Sequence, residues 1–297
     1  MQDQLSAELI AVVVAVTEGD PRVLTIAGGT GLPSGSFESS QRSLQAGLRG
    51  WVERQTHQQL GYVEQLYTFA DNDRAAAPGR VISVSYLALA RENAASGRQA
   101  AWQSWYRYFP WEDHRQGVPA CLPGAILPAL AAWADTPARR QRAGLIFGLD
   151  GGKWNEDLSL QRYELLYEAG LVPEWIRHNP GADDPGLPGE CMILDHRRIL
   201  ATGIARLRAK IKYRPVFFEL MPETFTLLQL QRTVEALAGR KLHKQNFRRL
   251  IDAQELVEET GQIATETGGR PAKLFRYRRD VQTERAIAAT RLPLARS

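Results

Sequence analysis

Paired cysteines are missing from this 297-residue sequence. Its only two, Cys121 and Cys191, stand far apart, so neither a disulfide framework nor a zinc site is indicated. The five histidines (His57, His114, His178, His196, His243) fall at no metal-ligand spacing either. Long hydrophobic runs are also missing. Leu9 to Val16 is too short to cross a membrane, and no charged export region precedes it, so the expected location is the cytoplasm. Strong charge of either sign is absent, since 37 Lys and Arg against 33 Asp and Glu leave +4. That balance permits a nucleic-acid partner without demanding one. What remains is an ordinary apolar content of 44%, in a chain long enough for two or three small domains.

The most informative stretch runs from Tyr213 to Arg279. A short apolar run, Val216 to Leu220, lies between Pro215 and Pro222. Thr226 stands where an N-cap belongs, ahead of Leu227, Leu230, Val234 and Leu237 at helical spacing, and Gly239 ends that helix. A second helix over about Lys244 to Ala253 puts Phe247, Leu250 and Ile251 on one side. Lys244, Gln245, Asn246, Arg248 and Arg249 take the other. Leu256 to Glu259, a turn at Gly268-Gly269 and Lys273 to Tyr277 then read as a two-stranded ribbon. Helix, turn, helix and ribbon make a winged helix-turn-helix. Ten Lys or Arg lie between Arg240 and Arg279 against five Asp or Glu, concentrated on the second helix and the wing. Such residues meet phosphates, while Gln, Asn and Arg read base edges. The expected DNA contacts are therefore Lys244, Gln245, Asn246, Arg248, Arg249, Arg270 and Lys273. The competing reading is a solvated basic face on a protein-binding module.

Ahead of this module, Leu9 to Val16 and Arg22 to Ile26 predict a strand pair across Glu18-Gly19-Asp20-Pro21. A loop follows at Leu32 to Glu38, and Ser39 to Leu60 reads as one amphipathic helix. Strands are expected at Val63 to Phe69 and Arg80 to Ala90, and a strand with a partner or loop at Trp102 to Trp111.

The segments LPSGSFESSQRSLQAGLRGWVERQ, YVEQLYTFADNDR and GRVISVSYLALA resemble the loop–helix–loop and strands of Nudix domains. With GRPAKLFRYRR at the wing, the chain resembles the Nudix-related transcriptional regulators of NAD metabolism (the NrtR/NadQ type). The resemblance implies a degenerate Nudix-like α/β/α sandwich over residues 1–213, within an α+β chain. It also implies a winged helix-turn-helix over 214–285 and a flexible tail at 286–297. A Nudix hydrolase gathers several glutamates on one helix face to hold Mg²⁺, which offsets pyrophosphate charge and activates water. Aligned on Gly35, this chain keeps Arg49, Trp51 and Glu53 but has Gln41, Gly50 and Arg54 where carboxylates belong. No catalytic or metal-binding residue is therefore expected, and no cofactor is required. The implied effector is NAD, ADP-ribose or another adenine nucleotide, and the implied partners are an operator in double-stranded DNA and a second copy of the chain. Arg49, Arg54, Arg74 and Arg80 suit phosphates, with Glu53 beside them. An Arg49–Glu53 helix pair and a core role for Trp51 are the competing readings. An active pyrophosphohydrolase carrying an accessory DNA-binding domain is the alternative for the whole chain.

Residues 119–190 do not read as Nudix and form an insertion. Pro123 to Ala134 predicts a helix. Ser159 is expected to cap another bearing Leu160, Tyr163, Leu166 and Tyr167, with Gly170 as its stop. Gly148, Gly151, Gly152 and Lys153 resemble a phosphate-cradling turn without Walker spacing, so Lys153 joins the ligand candidates against a plain glycine turn. Asp195 to Tyr213 predicts a long helix capped by Asp195. Its apolar seam of Leu200, Ile204, Leu207 and Ile211 faces either the sheet or a second chain, with Arg and Lys outside.

Overall fold

The computed structural model describes residues 5–70, 80–92, 100–149, 151–183, 186–264 and 271–278. Its first half is a mixed sheet built on β1 (Leu5–Thr17). β2 (Asp20–Thr25) returns antiparallel to β1, as the sequence predicts. The loop expected at Leu32 to Glu38 contains a short strand, β3 (Ser34–Ser36), which also pairs with β1. β4 (Tyr62–Phe69), β5 (Arg80–Leu89) and β6 (Ala101–Ser104) complete the order β4-β5-β1-β2-β6, with β5 parallel to β1.

Strand alternation divides the core into two layers. Leu9, Ala11, Val13 and Ala15 of β1 face Leu48 and Val52 of α1 (Leu44–Thr56). Ile10, Val12 and Val14 face the other way, onto the later helices. α1 is shorter than expected. Ser43 caps it by accepting the Ala46 N–H at 3.2 Å, and His57 at φ 55° turns the chain out of the helix. After β6 the aromatic run leaves the sheet in short helical turns, Trp105–Arg107 and Pro110–Glu112, that bury Trp105 and Trp111 completely.

The insertion forms α2 (Leu127–Trp133), α3 (Pro137–Phe147), α4 (Ser159–Glu168) and α5 (Pro173–His178). One expectation is corrected here, and one element is added to those expected. The basic run at Arg139 lies inside α3, which Thr136 caps by accepting the Arg139 N–H at 3.3 Å. Ser159 is within α4 and not its cap, because Asn155 caps the tight turn Glu156–Leu158 that leads into the helix.

α6 (His196–Ile211) packs Leu200, Ile204 and Leu207 into the sheet's second layer, so the seam is filled within the chain. Asp195 makes no side-chain cap bond there. The expected solvated outer face is also corrected. Arg197, Arg208 and Lys210 are buried, and each has a partner: Glu174, Glu112 and Glu64 respectively.

The tight turn Val216–Leu220 leads to α7 (Leu227–Ala238) and α8 (Lys244–Ala253), followed by the hairpin β7 (Val257–Ala264) and β8 (Ala272–Tyr277). Phe225 exchanges two backbone hydrogen bonds with Phe275, 2.9 and 2.8 Å, which ties the entry of α7 to the wing. Phe218, Phe225, Leu230, Leu237, Phe247 and Ile251 belong to the same apolar cluster as α6 and the sheet. No helix among the described residues is long and apolar enough to cross a membrane.

Candidate nucleic-acid interface and ligand face

α7 begins with a capping box, in which Thr226 accepts the Gln229 N–H at 3.2 Å and Gln229 accepts the Thr226 N–H at 2.7 Å. It ends at Gly239, φ 71°, and the turn to α8 is set by Glu235, which accepts the Leu242 N–H at 2.9 Å. Burial raises the Glu235 carboxyl, but hydrogen bonds from the Leu242 N–H, Gln231 and Lys241 outweigh it and hold the group below its ordinary value. α8 then buries Phe247 and Ile251. Leu250, expected beside them, is 54% exposed.

The outward side of α8 presents Lys244, Gln245, Asn246, Arg248 and Arg249, all exposed. Lys244, Gln245 and Arg248 have no side-chain partner among the described residues. Arg249 donates to the Asn246 side-chain oxygen at 2.9 Å and holds that amide in one orientation. His243 opens α8 without a side-chain cap, so the first backbone N–H groups of the helix point outward unspent. On the wing, Lys273 is exposed but ion-paired to both oxygens of Glu259, at 2.8 and 2.9 Å, and Arg276 pairs with Glu258 at 2.5 Å. Arg270 lies outside the described residues.

The ligand candidates do not form one constellation. Arg49 donates to the carbonyls of Leu60 and Gly61, fastening the exit of α1. It does not pair with Glu53, which is exposed. Arg54 lies 4.5 Å above the Trp51 ring. Trp51 itself rests on Gly35, where any Cβ would run into the indole, and donates to the Ser36 carbonyl at 2.9 Å. Its face is thus occupied by the chain. Lys153 is exposed in the insertion, whose neighbouring Trp154 packs with the opposite layer of the sheet. Arg74 and the side chain of Arg80 lie outside the described residues. As for Mg²⁺, Glu53 is the single carboxylate on α1, and the described residues hold no group of three His, Cys, Asp or Glu able to bind a metal. These residues do not fit a divalent ion.

Sequence reasoning missed a buried charge cluster between the two halves. Glu112 accepts from Arg162 of α4 at 2.6 and 2.9 Å and from Arg208 of α6, all three side chains being 1% exposed or less. Burial alone would raise the Glu112 carboxyl, and the two guanidinium groups more than reverse that. Arg208 also donates to the Leu237 carbonyl at 2.9 Å, at the end of α7. Tyr106 donates to the Ala236 carbonyl at 2.7 Å, and the His114 N–H reaches the Gly239 carbonyl at 2.7 Å. The last turn of α7 is thereby fixed to the sheet-bearing half.

Residues 217–277 match the family model of the NrtR DNA-binding winged helix domain. The chain is 40% identical over 86 residues to the ADPR responsive transcriptional repressor NtrR of Acinetobacter baylyi. That match takes in 29% of this chain and 34% of the relative, about a third of the relative's length. The Shewanella oneidensis NrtR crystal structure shares the fold at TM-score 0.56 and 21% identity, over 93% of this chain and 95% of that one. Its complex with a 27mer DNA gives 0.55 and 20% over the same shares. A MutT/nudix family protein from Enterococcus faecalis aligns at TM-score 0.54 and 13% identity, over 94% of this chain and 88% of that one. The fold is thus a Nudix-like domain followed by a winged helix domain.

Proposed function

We propose that the chain is a ligand-responsive transcriptional repressor. In this reading it grips operator DNA through α8 and the wing, as a homodimer, and controls genes of NAD biosynthesis. The observation that carries the reading is the outward face of α8, where basic and amide side chains stand exposed on a capped and buried helix-turn-helix. The match to an NrtR-type winged helix domain and the name of the Acinetobacter relative support it. That name, an ADPR responsive repressor, also makes ADP-ribose the first effector to test, ahead of NAD and other adenine nucleotides. The Nudix-like domain senses without hydrolysing, because Glu53 alone cannot hold the Mg²⁺ that pyrophosphate cleavage needs.

The test is a salt-resolved binding titration on operator and scrambled duplexes. Lys244→Ala should weaken both alike and flatten log affinity against log salt by about one unit, as losing one phosphate contact does. Asn246→Ala should instead relax sequence preference by roughly 1–3 kcal/mol with the salt slope kept. Affinity that ignores both changes sinks the proposal. The hydrolase alternative predicts Mg²⁺-dependent turnover of ADP-ribose that disappears in Glu53→Gln.

A further inference from the structure

The two buried side chains of α8, Phe247 and Ile251, stand four residues apart and so lie one above the other on the inner side of the helix. Arg249 and Gln245 fall on the opposite side. Two ridges flank them. One holds Lys244 and Arg248, and the other holds Asn246, Leu250 and Ala253 at i, i+4 and i+7. All five ridge residues are exposed. The two ridges differ in chemistry: the first is cationic, while the second carries one amide followed by two apolar side chains.

Leu250 is 54% exposed, between neighbours that are buried on one side and polar on the other. A single exposed leucine is ordinary on a protein surface, and its position is what gives this one meaning. A helix lying in the major groove can read base edges through residues at i, i+3, i+4 and i+7. Asn246, Arg249, Leu250 and Ala253 have that spacing. Asn pairs with adenine and Arg with guanine, through donors and acceptors that Leu lacks. The base-edge group that matches an aliphatic side chain in that groove is the C5-methyl of thymine. One helical turn separates Asn246 from Leu250, about 5–6 Å between β-carbons. That distance spans one to two base steps of about 3.4 Å.

We propose that Leu250 is a specificity-determining residue of α8, packing on a thymine C5-methyl one to two base pairs from the base that Asn246 reads. The proposal rests on the DNA-binding reading and adds the chemistry of one base position to it. In the test, the wild-type full chain first selects its site from a pool of randomised duplexes. Each thymine of the selected duplex is then replaced in turn by deoxyuridine, which removes the methyl and keeps every hydrogen-bonding group. Wild type should lose about three- to fivefold in affinity at one thymine per half-site, the worth of one buried methyl. Leu250→Ala and Leu250→Gln should bind the thymine and deoxyuridine duplexes equally at that position. Both variants should keep the wild-type melting temperature, because the side chain is exposed in the free chain. If wild type ignores every replacement, or the variants keep its penalty, this proposal falls, and the selected site leaves the DNA-binding reading standing. If the variants keep the penalty and also sediment as a smaller species than wild type, Leu250 packs on a second copy of the chain instead. If the wild-type chain enriches nothing from the pool, both readings fall.

Discussion

Replacing Glu112 by Gln leaves the guanidinium groups of Arg162 and Arg208 in a fully buried position with one neutral acceptor between them. Removing one member of such a cluster costs about 3–5 kcal/mol, because the remaining charge stays desolvated. Urea denaturation at neutral pH should show a loss of that size for Glu112→Gln. The pH dependence has a definite sign. The folded carboxyl is held below its ordinary value, so its contribution is complete above the unfolded pKa of about 4.3 and disappears as pH falls through the lower folded value. The gap between wild type and Glu112→Gln should therefore close on acidification below about pH 4. None of this was legible in the sequence. The partners of Glu112 lie 50 and 96 residues away, and local periodicity carries no information at that separation.

At the scale of elements, the wing restrains its own charge. Lys273 is held by both oxygens of Glu259 in the free chain, so a phosphate must compete with that pair. Glu259→Gln should tighten DNA binding and steepen the salt dependence by up to about one unit in a fluorescence titration. At the other end of the module, Gly239→Ala adds a side chain at positive φ, directly against the Glu112 carbonyl oxygen. A melting-temperature loss worth at least about 1 kcal/mol is expected. The helix-turn-helix was legible because its signals are local: Thr226 and Gln229 stand three residues apart, and Gly239 follows the last apolar position. Leu250 and the first residues assigned to α1 were misread for one reason. Periodicity proposes a stripe, but the Ser43 cap starts α1 late and neighbouring elements decide which edge of α8 is covered. The ligand candidates were not gathered into one place for a different reason. Arg49, Arg54 and Lys153 are reasonable residue types, yet a linear sequence does not say which layer of the sheet an insertion will cover.

For the whole molecule, one apolar cluster runs from β1 through α6 into α7 and α8. Scanning calorimetry should accordingly record one cooperative transition, and two well-separated peaks would contradict a shared core. On the proposed reading as a homodimeric repressor, an operator footprint should cover two half-sites about one helical turn apart, or a multiple of it. The buried cluster around Glu112 also bears on how the C-terminal module could be exchanged. The peptide chain passes between the two halves near Pro215, but the contacts that hold them meet elsewhere, at Glu112, Arg208 and the end of α7. A reader grafted at residue 214 from another regulator would bring its own α7 terminus to a socket shaped for Leu237 and Gly239. Arg208 would then lose the acceptor it has at the Leu237 carbonyl. Functional hybrids should need the graft to carry the facing pair with it, so the unit of exchange is the socket together with its plug.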